Sequence, residues 1–155
     1  MSLDLGAQRD AIALQIQTAL DLSTQPANCY GYPPDSPELN AVLVMPRLVD
    51  GHYVGYHGTF TGAQGALCLT GWTVEVRCGG GQIDAAKAMD KYLSSGNAES
   101  VLDALLADPT LGGEIETLAI GGSTVPRWFQ ASETDSRNWL SASFDVDTHA
   151  RRDNP

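Results

Sequence analysis

The sequence predicts an α+β protein with a mainly antiparallel sheet of about five strands, packed against an N-terminal helix and a central pair of helices. Apolar and polar residues alternate in 72–78 and 138–148, as is typical of half-buried strands. Two helical patterns lie side by side in mid-chain, at 82–94 and after Asn97. The predicted order is α-β-β-β-α-α-β-β, in which strands and helices are grouped. This grouping favours an antiparallel sheet with helices on one face.

The first helix is predicted over 4–22, with Asp4 near its positively polarised N-terminus. Its apolar residues fall mostly on one side: Leu5, Ile12, Ile16, Ala19 and Leu20. Residues 23–38, which include Tyr30 and Tyr32, form a proline-rich connection. Such a segment is stiff and poor in regular structure.

Three strands are predicted between 40 and 78. The first is 40–48, and Asp50-Gly51 is a strong hairpin signal that leads into a second strand at 52–60. The segment TGAQGA is predicted to be a loop. The third strand has the clearest alternation, with one buried face formed by Trp72, Val74, Val76 and Cys78.

The central helices begin after the glycine run Gly79-Gly80-Gly81. The first is predicted over 82–94, with an apolar stripe formed by Ile83, Ala86, Met89 or Asp90, and Leu93. Asn97 is a predicted N-cap for a second, short helix. The apolar side of this second helix is predicted to comprise Val101, Leu102, Leu105 and Leu106.

The stretch DPTLGGEIETLAI predicts a joint between a helix and a strand. Pro109 lacks an N–H and restricts the residue before it, so a helix usually ends there. Gly112 and Gly113 permit backbone angles that other residues avoid. A strand is then predicted at 114–120.

The remainder is predicted to be a polar excursion at 121–138 and a last strand at 138–148. The apolar face of that strand comprises Leu140, Ala142, Phe144 and Val146. Residues 1–148 are thus predicted to form a single domain, and 149–155 a flexible tail.

Charge and composition disfavour several classes of protein. A formal net charge of -10 in 155 residues would repel nucleic-acid phosphates and anionic membrane surfaces. No apolar run approaches the ~20 residues needed to span a bilayer. The N-terminus lacks the pattern of a signal peptide, and three cysteines without zinc-like spacing indicate reduced thiols in a cytosolic protein.

No catalytic residue, cofactor site or metal ligand is predicted. The glycine run after Cys78 lacks the Gly-Lys-Ser/Thr ending of a P-loop. His52 and His57 would point to opposite faces of a strand. Asp145 and Asp147 share a face and could share a proton or bind a cation between them, although an exposed polar face is the commoner explanation.

Arg127-Trp128-Phe129, in the polar excursion, is the most unusual feature. Two large aromatic residues beside an arginine are typical of an anchor at a protein interface. The alternative is a loop folded back so that Trp128 caps the core. Residue types alone leave both interpretations open.

The chain resembles the tail terminator proteins of long-tailed, siphovirus-type bacteriophages over roughly residues 3 to 148. The resemblance rests on the order of the elements, on LTGWTVEVRC, on ADPTLGG before a strand, and on the closing strand WLSASFDVD.

This resemblance implies a structural virion protein rather than an enzyme. Such proteins form a ring, typically a hexamer, on the head-proximal end of the tail tube, where they stop polymerisation and meet the head-closure protein. DNA passes through the lumen without specific binding. The implied location is the tail or neck of the virion, and the host cytoplasm during assembly. The segments free to make contacts are then the proline-rich connection 23–38, the hairpin 49–52 with Asp50, the excursion 121–138 and the tail.

Two alternatives remain open on the sequence. The nearer one is another neck protein, either an adaptor or a head-closure component. A different class is a small cytosolic α+β enzyme or ligand-binding domain, which would need a pocket with convergent polar groups.

Overall fold

The computed structural model describes residues 3–23, 26–57, 66–130 and 138–152. Within these ranges the chain is an α+β protein with three helices and a mixed sheet of seven strands. The elements in chain order are α1 (Leu5–Leu20), β1 (Asn28–Tyr30), β2 (Ala41–Arg47), β3 (Val54–His57), β4 (Ala66–Cys78), α2 (Gln82–Leu93), α3 (Val101–Leu106), β5 (Thr117–Ser123), β6 (Arg127–Gln130) and β7 (Asn138–Arg152).

The antiparallel pair β4 and β7 forms the centre of the sheet. Its register runs from Ala66 opposite Arg152 to Cys78 opposite Leu140. Since β7 occupies one side of β4 along its whole length, β2 and β3 both pair with the other side. By the same reasoning β5 and β6 follow each other along the free side of β7. The sheet therefore has β1 and β3 at one edge, and β5 and β6 at the other.

The alternating residues of β4 and β7 form the floor of the core. Trp72 lies opposite Val146, and Val74 opposite Phe144, so the apolar faces of the two strands coincide as the sequence predicts. The helices cover this face with apolar side chains that are also buried: Ile12, Ile16, Leu20, Ala85, Met89, Tyr92, Val101 and Leu105. Burying each large aliphatic or aromatic side chain contributes about 1.5–3 kcal/mol.

The prediction of a mainly antiparallel sheet of about five strands is matched in part, because the described sheet contains two further strands, one of them paired in parallel. The short strand β1 lies inside the proline-rich segment and pairs in parallel with β2. At three residues it is too short to show a period of two. The strand β6 lies inside the predicted polar excursion, and all four of its residues are exposed. It therefore lacks the apolar–polar alternation by which a strand is recognised.

Several boundaries also differ from the sequence prediction. The second predicted strand, 52–60, is represented by β3 at 54–57, and its last part, 58–60, lies outside the described residues together with the TGAQGA loop as far as residue 65. The strand β5 starts at Thr117 rather than 114. The strand β7 continues to Arg152, so the first part of the predicted tail belongs to the sheet, and 153–155 lie outside the described residues.

The predicted apolar stripe of α2 was displaced around the helix. The structure buries Ala85, Ala88, Met89 and Tyr92. Ile83, expected inside, is 71% exposed. Tyr92 lies on the buried side of the helix, where its hydroxyl accepts a hydrogen bond from Asn40 Nδ2 at 3.4 Å. Small alanines on the same face allow the helix to lie close to the sheet.

The N-cap of α3 is Ser100 rather than Asn97. Ser100 Oγ accepts a hydrogen bond from Asp103 N at 3.0 Å, which satisfies a free N–H of the first turn. Asn97 Oδ1 instead accepts from Glu99 N at 2.9 Å, within the turn before the helix. Both residues favour helix starts, so only the backbone path distinguishes them.

The joint after α3 is a tight turn built around Asp108. Its carboxylate accepts from Thr110 N, Thr110 Oγ1 and Gly112 N at 3.0, 2.6 and 2.8 Å. These hydrogen bonds, with that of the Thr110 hydroxyl first, lower the pKa of Asp108. Leu111, Gly112 and Gly113 have φ values of 51, 70 and 92°. Pro109 is exposed at the start of this turn.

Gln15 of α1 attaches the first helix to this joint. Its Nε2 lies 2.9 Å from the carbonyl oxygens of Ala104 and Leu105, and 3.0 Å from that of Asp108. The last carbonyls of a helix have no partner within the helix. Gln15 therefore supplies a donor to the end of α3 from a neighbouring element.

Candidate interaction surface

The strand β6 exposes Arg127, Trp128 and Phe129 at an edge of the sheet. It pairs with the start of β7, and no strand in the described part of the chain pairs with its other side. Trp128 and Phe129 are 44% and 48% exposed. Exposed aromatic side chains beside unpaired backbone groups are features of an edge to which another polypeptide can bind.

The three residues lie on two faces of the sheet because side chains alternate along a strand. Trp128 lies opposite Leu140, on the face that carries the helices. It is not among the buried residues of the core or the half-buried residues that pack on them. Arg127 and Phe129 lie on the opposite face, where Phe129 stacks on Trp139 with ring centroids 6.4 Å apart.

The face of the sheet without helices contains a cavity of about 800 Å³ next to β6. Its lining includes Arg77, Arg127, Phe129 and Trp139. The Arg77 guanidinium lies 4.9 Å from the centre of the Trp139 ring. Arg127 makes no ion pair with a described residue, so one guanidinium at the rim has no carboxylate partner there.

Three polar side chains on the floor of this cavity bind each other. Arg77 Nε lies 2.6 Å from Glu75 Oε1. Ser141 Oγ donates to the same oxygen at 2.9 Å. The sequence singled out none of these three residues, because a charged or polar residue on the outer face of a strand is common and its partner is decided by the register.

Asp145 and Asp147 do share a face, as expected, and Arg47 lies between them. Arg47 Nε is 3.5 Å from Asp145 Oδ1, and Arg47 Nη2 contacts Asp147 Oδ1. The same Nε donates to the backbone oxygen of Trp72 at 3.3 Å. The two carboxylates therefore form an ion-pair cluster with a guanidinium from β2, which no spacing in the sequence could reveal.

The cysteines described by the structure have the properties of structural residues. Burial raises the pKa of the Cys78 thiol to about 12. Burial, and then the charge of Asp21, raise the pKa of Cys29 to about 12. Cys68 is fully buried. Since the thiolate is the nucleophilic form, Cys29 and Cys78 are poorly reactive at neutral pH.

The other predicted contact residues lie at the opposite edge of the sheet from β6. Tyr30 belongs to the edge strand β1, and its hydroxyl accepts from Glu38 N at 3.3 Å. Tyr32 is exposed, with the Arg9 guanidinium 4.5 Å above its ring. Asp50 is exposed in the hairpin between β2 and β3, with φ of 50° followed by 83° at Gly51. The predicted contact residues thus occupy two separate edges.

Among the described residues, no group of three or more His, Cys, Asp or Glu side chains is arranged to hold a metal ion. The described helices include none that is long and apolar enough to cross a membrane. No protein-family model matches the chain, and no curated protein matches it.

Proposed function

We propose that this chain is a structural virion protein that forms a ring on the head-proximal end of a phage tail tube. In that role it ends tube polymerisation and joins the tail to the head-closure protein. The observation that carries the proposal is the exposed aromatic strand β6 at an open sheet edge. This exposed edge adds to the resemblance to tail terminator proteins, which rests on the order of the elements and on the joint at 108–120.

Binding rather than catalysis is the proposed mechanism. An exposed strand edge can extend the sheet of a neighbour through backbone hydrogen bonds, while its side chains supply specificity. Aromatic residues and arginine supply most of the binding energy in typical interfaces. The proposed partners are further copies of this chain, the tail tube protein and the head-closure protein. The proposed locations are the virion and, during assembly, the host cytoplasm.

The test is native mass measured over a concentration series, alone and with isolated tail tubes. A discrete ring, expected to be a hexamer, together with a mass increase on tubes would support the proposal. A second readout is the length of tail tubes polymerised in the presence of this protein. The tubes should stop growing once the protein has capped them. Uncapped growth at saturating protein, with no oligomer at any concentration, would reject the ring.

A neck adaptor or head-closure protein is the nearer alternative. It shares the small size, acidity and oligomerisation. It differs in its partner, because an adaptor binds the portal whereas a terminator binds the tube. Pull-down with purified portal and with tail tubes, in parallel, separates the two functions.

A ligand-binding domain is the alternative from a different class, and the cavity of about 800 Å³ favours it. Its size is within the range of small-molecule sites, and the Phe129–Trp139 pair gives a flat aromatic wall. Tryptophan fluorescence titrated with a panel of aromatic carboxylates would test this alternative. Saturable quenching lost in Arg127→Ala would favour it over the assembly function.

A further inference from the structure

The cavity on the helix-free face of the sheet carries an excess positive charge. Its charged lining residues are Glu75, Arg77 and Arg127. Glu75 and Arg77 form an ion pair and so balance each other. Arg127 makes no ion pair with a described residue. In a chain with a net charge of -10, this cavity therefore favours an occupant that carries a carboxylate.

One wall of the same cavity is aromatic. Phe129 and Trp139 both line it, and their rings stack with an interplanar angle of 21°. Grooves lined by aromatic rings bind proline-rich segments, because such segments are apolar and already stiff before they bind. An occupant that contains proline residues beside an acid would match both the wall and the charge.

The proline-rich connection of this chain presents such a sequence at residues 33–36, which we call the apex. Pro33, Pro34 and Asp35 are exposed. Asp35 makes no ion pair with a described residue of its own chain. The apex therefore combines two exposed prolines with a carboxylate that can pair with a guanidinium.

The apex is held at both ends within the free chain. Before it, the Arg9 guanidinium lies 4.5 Å from the centre of the Tyr32 ring. After it, Pro37 is buried, and Glu38 N donates a hydrogen bond to the Tyr30 hydroxyl at 3.3 Å. A segment that is held in place before binding loses less entropy when it binds.

We propose that the cavity receives the apex of a second copy of this chain, with its prolines against Phe129 and Trp139 and its Asp35 paired with Arg127. This inference rests on the proposed ring function and assigns its contact between subunits. It joins the two separate edges of the sheet at which the predicted contact residues lie.

The geometry of such a contact is that of a ring. The apex follows the edge strand β1, whereas the cavity lies next to β6 at the other edge, and no residue of the apex lines the cavity. A contact between two different surfaces of one molecule is heterologous, and it generates a ring when repeated rotation closes. A contact of one surface with itself would end at a dimer.

Cysteine cross-linking tests the contact. Ser36→Cys and Val125→Cys are mixed and treated with a short bismaleimide, alone and on isolated tail tubes, with each single variant and the unmodified chain as controls. Val125 lines the cavity and is 75% exposed. The native Cys29 and Cys78 are poorly reactive because burial raises the pKa of each to about 12. The expected result is a dimer in the mixture only.

Other results would overturn the inference. A dimer from either single variant alone would show a contact of one surface with itself. Cross-links to the tube protein alone would assign the apex or the cavity to that partner. No cross-link in the mixture, with a ring still present by native mass, would place the subunit contact elsewhere and leave the proposed function standing. Monomers throughout, alone and on tubes, would count against both.

Exchanging the two charges provides a second measurement. Asp35→Arg and Arg127→Glu should each raise the Kd of self-association at least about tenfold, because each brings like charges together. The double variant Asp35→Arg/Arg127→Glu should recover most of the lost affinity, since the ion pair is then reversed. Native mass over a concentration series measures the Kd, and circular dichroism checks that each variant is folded.

Asp90→Arg on α2 is the matched control for the charge exchange. Asp90 is exposed, and α2 covers the face of the sheet opposite the cavity. This variant changes the net charge by the same amount as Asp35→Arg, and its Kd should equal that of the unmodified chain. An equal rise in Kd for Asp90→Arg and Asp35→Arg, or no recovery in the double variant, would overturn the inference.

Discussion

At the scale of single residues, burial rather than residue type decides what the titratable side chains can do. Cys29, Cys78 and Tyr92 each have a pKa raised to about 12, mainly by burial. A buried thiol or phenol resists ionisation because the anion would lose its hydration. These groups therefore contribute to stability in their neutral form.

Stability should consequently fall in alkali. The thiols of the unfolded chain ionise near the ordinary cysteine pKa of 9.0, while the folded ones stay protonated until about 12. Between these values the unfolded state binds fewer protons, so the free energy of unfolding decreases as pH rises. Urea denaturation from about pH 8 to 10.5 measures this slope. In Cys78→Ala the slope should be shallower, and an unchanged slope would show that Cys78 does not contribute.

Trp128 is a residue whose loss should separate folding from assembly. It is 44% exposed and lies outside the core cluster, so Trp128→Ala should leave the monomer folded. Truncating an aromatic anchor at an interface typically costs about 2 kcal/mol or more of binding free energy. Circular dichroism checks the fold, and native mass checks the oligomer. Unfolding of the variant would show that Trp128 stabilises the monomer, contrary to the interface proposal.

At the scale of elements, the joint between α3 and β5 depends on its backbone angles. Leu111, Gly112 and Gly113 follow one another with positive φ. A Cβ at Gly113 would meet no atom within 4 Å, so steric contact with neighbours does not explain the glycine. The backbone conformation explains the glycine, because residues with a side chain rarely adopt positive φ angles.

Gly113→Ala should therefore destabilise the protein by about 1–2 kcal/mol. The matched control is Gly122→Ala, where a Cβ would also meet nothing within 4 Å and φ lies outside the positive region. The melting temperature of this control variant should be equal to or higher than that of the unmodified chain. Equal melting temperatures for both variants would mean that the joint relaxes at no cost.

The elements that the sequence predicted well are those with a strong periodic pattern. In β4 and β7, residues such as Val74 and Phe144 are buried at every second position, as the alternation indicates. The strand β6 was missed because Arg127, Trp128 and Phe129 are all exposed and give no alternation. Their placement on two faces depends on the register with β7, which is a long-range property.

The candidate surface was predictable in part. Residue types alone singled out Arg127-Trp128-Phe129, since aromatic residues beside arginine are unusual in a polar segment. The contact of α1 with the end of α3 was not predictable, because it joins residues 90 positions apart, such as Gln15 and Leu105. The pairing of Arg47 with Asp147 likewise depends on strands brought together by folding.

At the scale of the whole molecule, the net charge of -10 restricts what a ring of these chains could hold in its lumen. Six copies would carry six times that charge before ion binding. A lumen wall with the same sign as the net charge would not retain DNA, because binding to DNA depends on neutralising its phosphates with basic residues.

The assembled protein should accordingly fail to bind duplex DNA even at about 50 mM salt, where electrostatic attraction is strongest. Fluorescence anisotropy of a labelled duplex measures this directly, with a basic DNA-binding protein as the positive control. Binding that weakens with added salt would reveal a basic lumen and contradict the proposed passage of DNA without retention.

The Gln15 side chain also has a consequence for dynamics. Three carbonyl oxygens at the end of α3 and in the joint accept hydrogen bonds from one amide group of α1. If α1 separated from the sheet, the carbonyls of Ala104 and Leu105 would lose the Gln15 donor at the same moment, whereas that of Asp108 would keep its hydrogen bond from Leu111 N at 3.1 Å. The two helices should therefore open together as a single cooperative unit. Hydrogen exchange of their backbone amides should then report one shared free energy of opening.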